Sequence, residues 1–233
     1  MLMVKEKIKR NNLKNIPFIH ADGSDRFKPV EHHELANTIV NQTKDMGLSI
    51  KKEQWGVSPD HTSLFGEIVL DKVLDNPTME FTIGIRQNNN MRFPITLVSG
   101  TNVFVCSNLM ISGEIVLKKR HTIGLHLQDE VRSGLTRCIG NSKDITDTME
   151  MMQNNEINNS RANDLMMESA HQGLFSYSHL KEVQKEWITP SYDDFKPRTE
   201  WSLYNSFTEV AKKYNPIRQQ TAVGGLVELF SNN

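Results

Sequence analysis

The chain has 233 residues, 37% of them hydrophobic and 24% charged, with a formal net charge of −1, a size and balance that let a core form without disulfide or metal staples. Near-neutral charge removes any global electrostatic case for nucleic acid or membrane binding, and no apolar run approaches the roughly 20 residues that span a bilayer, so no membrane partner is expected. Cys106 and Cys138 sit in apolar or helical surroundings and the charges of MLMVKEKIKR interrupt any apolar run, so neither a disulfide framework nor a signal peptide is expected and a reducing cytoplasm is the natural compartment.

Residues 1–28 are polar and rich in Asn and Lys, with Pro17 and the turn-like Asp22-Gly23-Ser24; an extended basic arm or edge strand is expected there. Pro29 opens a helix in which Val30, Leu35, Ile39 and Met46 recur at helical spacing, and Gly47 stands where a left-handed cap belongs. Leu48 to Trp55 and Leu64 to Leu74 read as strands about the turn signal Ser58-Pro59-Asp60. Next, Glu80 to Gln87 alternates with Phe81, Ile83 and Ile85 on one face, and Gln87 to Asn90 reads as a hairpin loop, because Asn tolerates positive φ. Ser99 to Asn102 reads as a second turn, Val103 to Cys106 as a buried strand, and Glu114 to Lys119 as a strand running into Arg120-His121-Thr122.

From Leu125 the apolar period lengthens towards 3.6. Leu127, Val131, Leu135, Cys138 and Ile139 share a helical face; further helices are expected from Asp144, over Arg161 to Ser169 and over His179 to Trp187. The stretch Tyr192 to Pro197 reads as an irregular connector. Trp201, Tyr204, Phe207, Thr208, Ala211 and Tyr214 then form the most aromatic stripe of the chain, read as core, and Thr221 to Phe230 forms a closing helix. The expected fold is α+β: a central antiparallel sheet, a β-meander, covered by helices. Residues 29–233 are read as one domain, sheet-rich over 48–122 and helix-rich over 123–233.

A strand ending in IRQNNN, the strand VFVCSNLM, the Lys-Arg-His-Thr corner and the C-terminal WSLYNSFTE together resemble the phage/plasmid-like family catalogued as the domain of unknown function DUF932, over roughly Pro29 to Phe230. The resemblance implies a gene carried by a bacteriophage or mobile element and brings no established activity with it. The run from a β-meander into a helix is also similar to single-strand annealing proteins.

The sequence lacks the nucleophile elbow, the phosphate-cradling glycine loop, His-Glu-x-x-His and Cys-x-x-Cys, so no catalytic residues, metal or cofactor are assigned. His121, His126, Cys106 and Cys138 lack the tight spacing of structural zinc sites, and His32-His33 reads as a solvated helix start. Charge is instead concentrated at one strand end, where Lys118, Lys119, Arg120 and His121 follow one another; Arg86 and Arg92 flank the asparagine loop and come close if the strands pair as a meander. The expected nucleic-acid contacts are therefore Arg86, Arg92, Lys118, Lys119 and Arg120 on phosphates, His121 on backbone or base, and Asn88, Asn89 and Asn90 as hydrogen-bonding loop residues, with Phe93, His121 or Tyr204 as stacking faces. Set against this is an ordinary charged edge that discourages strand pairing. The functional expectation is an accessory protein of DNA replication or recombination that binds nucleic acid, single-stranded by preference and with weak sequence specificity. The alternative is a modulator of a host protein, gripping it through the acidic, methionine-rich region around Met149, Met151, Met152, Met166 and Met167; a third is an enzyme or nucleotide binder with an unrecognised site. Exposed sheet edges also suit a homo-oligomer.

Overall fold

A computed structural model describes residues 6–23, 25–74, 79–103 and 113–231. The chain divides into two compact units, Met1–Ser142 and Lys143–Asn233. The first holds six antiparallel strands, β1 (Glu6–Ile8), β2 (Ile50–Val57), β3 (Ser63–Leu70), β4 (Met79–Asn88), β5 (Ile95–Val103) and β6 (Gly113–Lys119), in the order β1-β2-β3-β4-β5-β6. The α+β class and the expected meander are both present. A 3-10 turn, Arg10–Asn15, and helix α1 (His32–Asp45) lie between β1 and β2, and helix α2 (Leu127–Gly140) follows β6.

Opposed residues of an antiparallel pair point to the same side of the sheet, and this separates the two faces. The first carries Trp55, Gly66, Ile85, Leu97 and Leu117, one residue per strand from β2 to β6. On it, the Trp55 indole lies over Gly66, where an added Cβ would sit 2.3 Å from the ring. Helix α2 presses on the same face: Gly134 lies against Leu97 and Leu117, with 2.8 Å from a notional Cβ to Leu97 Cδ1. Helix α1 packs beside α2, and Arg10 ties it to the sheet by binding Glu53 of β2 at 3.0 Å and Asn37 of α1 at 2.6 Å. Methyl groups at 66 and 134 therefore overfill a packed layer. Gly66→Ala is expected to cost about 1–3 kcal/mol in urea unfolding, whereas Gly124→Ala, with nothing within 4 Å, stays within about 0.5 kcal/mol of the parent.

The start of α1 falls at His32 rather than Pro29, and its end matches the expectation. Gly47 has φ +76°; its N–H reaches Lys44 O at 2.9 Å while Leu48 N–H reaches Thr43 O at 3.2 Å, the paired bonds of a Schellman cap. The expected turn at Ser99 to Asn102 is a correction. Those residues run on inside β5, Ser99 and Gly100 paired with both β4 and β6 and Thr101 and Asn102 paired with β4, since ladder pairing outweighs a local turn preference. Val103 ends β5; Phe104 to Cys106 and Asn108 lie outside the described residues.

The single domain read from residue 29 onwards differs from the observed grouping, because α2 packs with the sheet. The second unit contains α3 (Ser142–Asn154), α4 (Asn159–His171), α5 (Tyr177–Ile188), a 3-10 turn Asp193–Phe195, α6 (Glu200–Ala211) and α7 (Pro216–Ser231). Every residue of α6 except Glu209 is buried, between α5 and α7. Its polar side chains bond the helix backbone, as Asn205 Nδ2 does to Trp201 O at 2.8 Å, which is how a buried polar residue avoids a desolvation cost. Phe207 meets Phe175 in a tilted contact at 4.9 Å and Tyr204 stacks on Trp201 at 5.6 Å, so the aromatic stripe is core and Tyr204 presents no free stacking face. Helix α7 begins earlier than expected, at Pro216, where Asn215 Oδ1 accepts the Arg218 N–H at 3.0 Å, an Asn cap ahead of a first-turn proline. Of the methionines, Met149, Met152 and Met166 are buried and Met151 and Met167 exposed. No described helix is long and apolar enough to cross a membrane.

Candidate nucleic-acid interface

The turns β2–β3 and β4–β5 and the end of β6 all lie at one end of the sheet, and residues 20–23 and 25–30 are laid across them. Asn89 is the junction. Its amide Nδ2 donates to Val30 O at 2.8 Å and its Oδ1 accepts Val30 N–H at 3.2 Å, imitating a backbone pair. Its own N–H reaches Thr62 O at 2.8 Å, and its O accepts Ala21 N–H at 2.9 Å. Asn88 Oδ1 accepts the N–H groups of Asn90 and Arg92, both at 2.9 Å, and its Nδ2 donates to Ser63 Oγ at 2.8 Å. Both side chains are fully buried. Asn88 and Asn89 are thus corrected from ligand contacts to internal staples, and the left-handed residue of the loop is Met91, φ 58°. Asn90 is the half-buried member of the three.

His32 is also a correction: it is buried, not a solvated helix start. Gln87 Nε2 donates to its Nδ1 at 2.8 Å, which leaves Nε2–H to donate to His61 O at 2.9 Å. Both bonds suit a neutral ring, and burial lowers its pKa. His121 is 5% exposed, 6.0 Å from the Phe27 ring, with neither ring nitrogen hydrogen-bonded. Burial, with the nearby His32 imidazole as the lesser cause, pushes its pKa down to about 4. It packs as a neutral ring under the crossing segment rather than offering a contact to backbone or base.

The cations divide by face. Lys118 pairs with Thr96 and Lys119 with Ile95, so they point to opposite sides; Lys119 turns to the helix side and binds Glu130 of α2 at 2.7 Å. Arg92, Lys118 and Arg120 are exposed, Arg92 lying 4.0 Å from Asp60. The segment 26–28 runs against 121–123: Phe27 bridges Thr122, Lys28 N–H reaches His121 O at 3.3 Å and Ile123 N–H reaches Arg26 O at 3.0 Å. Arg26 and Lys28, both exposed, thereby join the corner. The sequence reading left them out because nothing local places residue 27 beside residue 122; the Arg-Phe-Lys triplet was the available signal.

On the second face one row crosses every strand: Lys7, Gly56, Phe65, Arg86, Thr96 and Lys118. Arg86 is half-buried, and its guanidinium lies over the Phe93 ring, 5.6 Å from the centroid. Its Nε and Nη1 are closed off from solvent without a hydrogen-bond partner, and burial lowers its pKa. Leaving a buried donor unmet costs about 1–3 kcal/mol, more for a charged one.

Two residues along β3 from Phe65, Glu67 is 1% exposed and accepts from Gln54 Nε2 at 3.2 Å. Burial pushes its carboxyl up to about 7, against the pull of Lys52 and Lys7. A carboxyl raised on folding adds stability that is complete below its unfolded pKa near 4.5 and is lost as pH rises through 7. Between pH 5 and 8 the parent is expected to lose up to about 3 kcal/mol relative to Glu67→Gln. Paired urea titrations at the two pH values measure this, and a pH-independent difference would show that the carboxyl does not titrate there.

Among the described residues no three His, Cys, Asp or Glu side chains gather as metal ligands, and the described cysteine, Cys138, is a buried free thiol raised to about 12. The model of one protein family, a domain of unknown function (DUF932), matches residues 92–228. The chain belongs to this family. The curated proteins and the solved structures give no match. The DUF932 match starts at Arg92, in the β4–β5 turn, and ends within α7. It therefore takes in Lys118, Arg120 and the buried WSLYNSFTE helix, while Arg86, Asn88 and Asn89 precede it.

Proposed function

We propose that this protein binds nucleic acid by its phosphate backbone, through Arg26, Lys28, Arg92, Lys118 and Arg120 at one end of the sheet. The reading rests on one observation: three segments distant in sequence deliver exposed cations to the same corner. Asn88 and Asn89 make this arrangement rigid, so the charges are held without the ligand having to order them. Contacts of this kind position a strand without reading its bases, and predict strong salt dependence with weak sequence preference. A single strand is the preferred ligand in this reading, because its flexible backbone can follow cations drawn from three separate segments; Phe93, buried under Arg86 and against Phe65, offers no free stacking face. The biological setting we propose is an accessory role in DNA replication or recombination, in the cytoplasm of the host of a phage or mobile element. Binding of labelled single-stranded DNA, duplex DNA and RNA at two salt concentrations tests it.

A further inference from the structure

We propose that Phe18 and His20 form a stacking platform for one unpaired base, at the rim of the basic corner. This rests on the nucleic-acid reading and adds to it the feature that tells a base-bearing single strand from any other chain of phosphates. Three observations carry it. First, the two rings are paired and open. Their centroids lie 5.0 Å apart with the planes tilted by 54°, Phe18 is 44% exposed, and His20 is exposed beside it. The Ile19 N–H bonds Pro17 O at 3.0 Å with no positive φ at Phe18, an inverse γ-turn, and His20 Nδ1 lies 3.1 Å from Ala21 O; local backbone, not burial, sets both rings. Second, the pair is tied to the cations. The Ala21 N–H bonds Asn89 O at 2.9 Å, so Phe18 and Arg92 each stand no more than about 11 Å, three Cα steps, from that junction. Third, the other rings of the corner are closed. Phe93 and His121 are buried and Phe27 is half-buried against His121. Open rings beside phosphate-binding cations are what an unpaired base needs, and stacking on them is tolerant of sequence because every base has a π-face. A duplex, whose bases are already stacked, cannot use them. Asp22 and Asp25 are exposed in the same segment, so the attraction at the rings is stacking rather than charge, and it persists where salt weakens the phosphate contacts.

Fluorescence polarisation of the full chain with a labelled oligothymidine and with an abasic oligomer of the same length isolates the bases, since the second strand keeps every phosphate and lacks every base. The parent is expected to bind oligothymidine roughly tenfold tighter than the abasic strand, at low and at moderate salt alike. Phe18→Ala is expected to remove most of that difference while leaving the affinity for the abasic strand and its salt dependence unchanged, and Phe18→Trp to keep it. Equal affinity of the parent for the two strands, or an undiminished preference in Phe18→Ala, would overturn the platform while leaving the nucleic-acid reading standing. No binding of either strand at low salt would overturn both. Vesicles of anionic lipid test the other surface that suits exposed rings beside cations: vesicle binding lost in Phe18→Ala, with oligothymidine binding unchanged, would assign the rings to a membrane surface and overturn the platform. If Phe18→Ala fails to fold, the His20 Cε1–H resonance in the parent, assigned by its loss in His20→Asn, is expected to shift as oligothymidine saturates the protein and to stay in place with the abasic strand; no shift, or the same shift with both strands, would overturn the platform.

Discussion

Asn89→Asp is expected to destabilise the sheet-bearing unit by about 3 kcal/mol or more at neutral pH, beyond the loss caused by Asn89→Ala. The side chain is fully buried and joins both backbone groups of Val30. Alanine leaves the Val30 N–H without a partner, though Val30 O keeps the bond from Gln87 Nε2 at 3.1 Å. Aspartate still accepts the Val30 N–H, but sets a buried negative charge against Val30 O. Its penalty should shrink as pH falls from 7 towards about 4, the unfolded pKa, because the carboxyl protonated in the folded state donates as the amide does. Because Asn89 also holds Ala21 and Thr62 through its backbone, the variant should release the 20–30 segment, and with it Arg26 and Lys28. Urea unfolding at pH 7 and at pH 4 measures the stability; if Asn89→Asp and Asn89→Ala have equal midpoints at both, the amide is not the staple described.

The second large effect concerns binding. Replacing Arg92, Lys118 and Arg120 together by alanine is expected to lower affinity for a single strand on the order of 100-fold at low salt and to flatten the slope of log affinity against log salt by about 2, since each phosphate contact on a single strand contributes about 0.7. These three side chains are exposed and make no contact on which the core depends, so stability should hold within about 0.5 kcal/mol each. Lys119→Ala is the internal control. That ammonium faces the helix side and is engaged by Glu130, so its removal should change affinity only a few-fold, despite its place between Lys118 and Arg120. An equal loss from Lys119→Ala would mean that net charge, not geometry, governs binding.

Much of the fold was legible because the signals were local. The turn signal Ser58-Pro59-Asp60 separated β2 from β3, alternation marked β4, helical spacing marked α1, α2 and α6, and Gly47 marked the end of α1. Legibility failed where a distant partner decides the state of a residue. Asn88 and Asn89 have the composition of an exposed loop and become buried because Val30, 59 residues from Asn89, and Ser63 take up their amides. His32 follows the same rule through Gln87, 55 residues away. Ser99 to Asn102 has turn chemistry yet stays in β5 because all four residues pair with β4, and Ser99 and Gly100 with β6 as well. Within the site, the shared face of Arg86 and Lys118 follows from the meander register, whereas the opposite directions of Lys118 and Lys119 follow from strand alternation alone. The unpartnered state of the Arg86 guanidinium, the least expected feature, has no trace in the local sequence.

The most direct test of the central claim is fluorescence polarisation of the intact protein with labelled single-stranded DNA, duplex DNA and RNA, each titrated between 50 and 200 mM salt. Five phosphate contacts predict a single-strand slope near −3.5 and a fall in affinity of roughly 100-fold across that range. Tightest binding to a single strand with that dependence is the expected result. No binding to any of the three at 50 mM salt would contradict the account and leave the basic corner a charged sheet end without a nucleic-acid role.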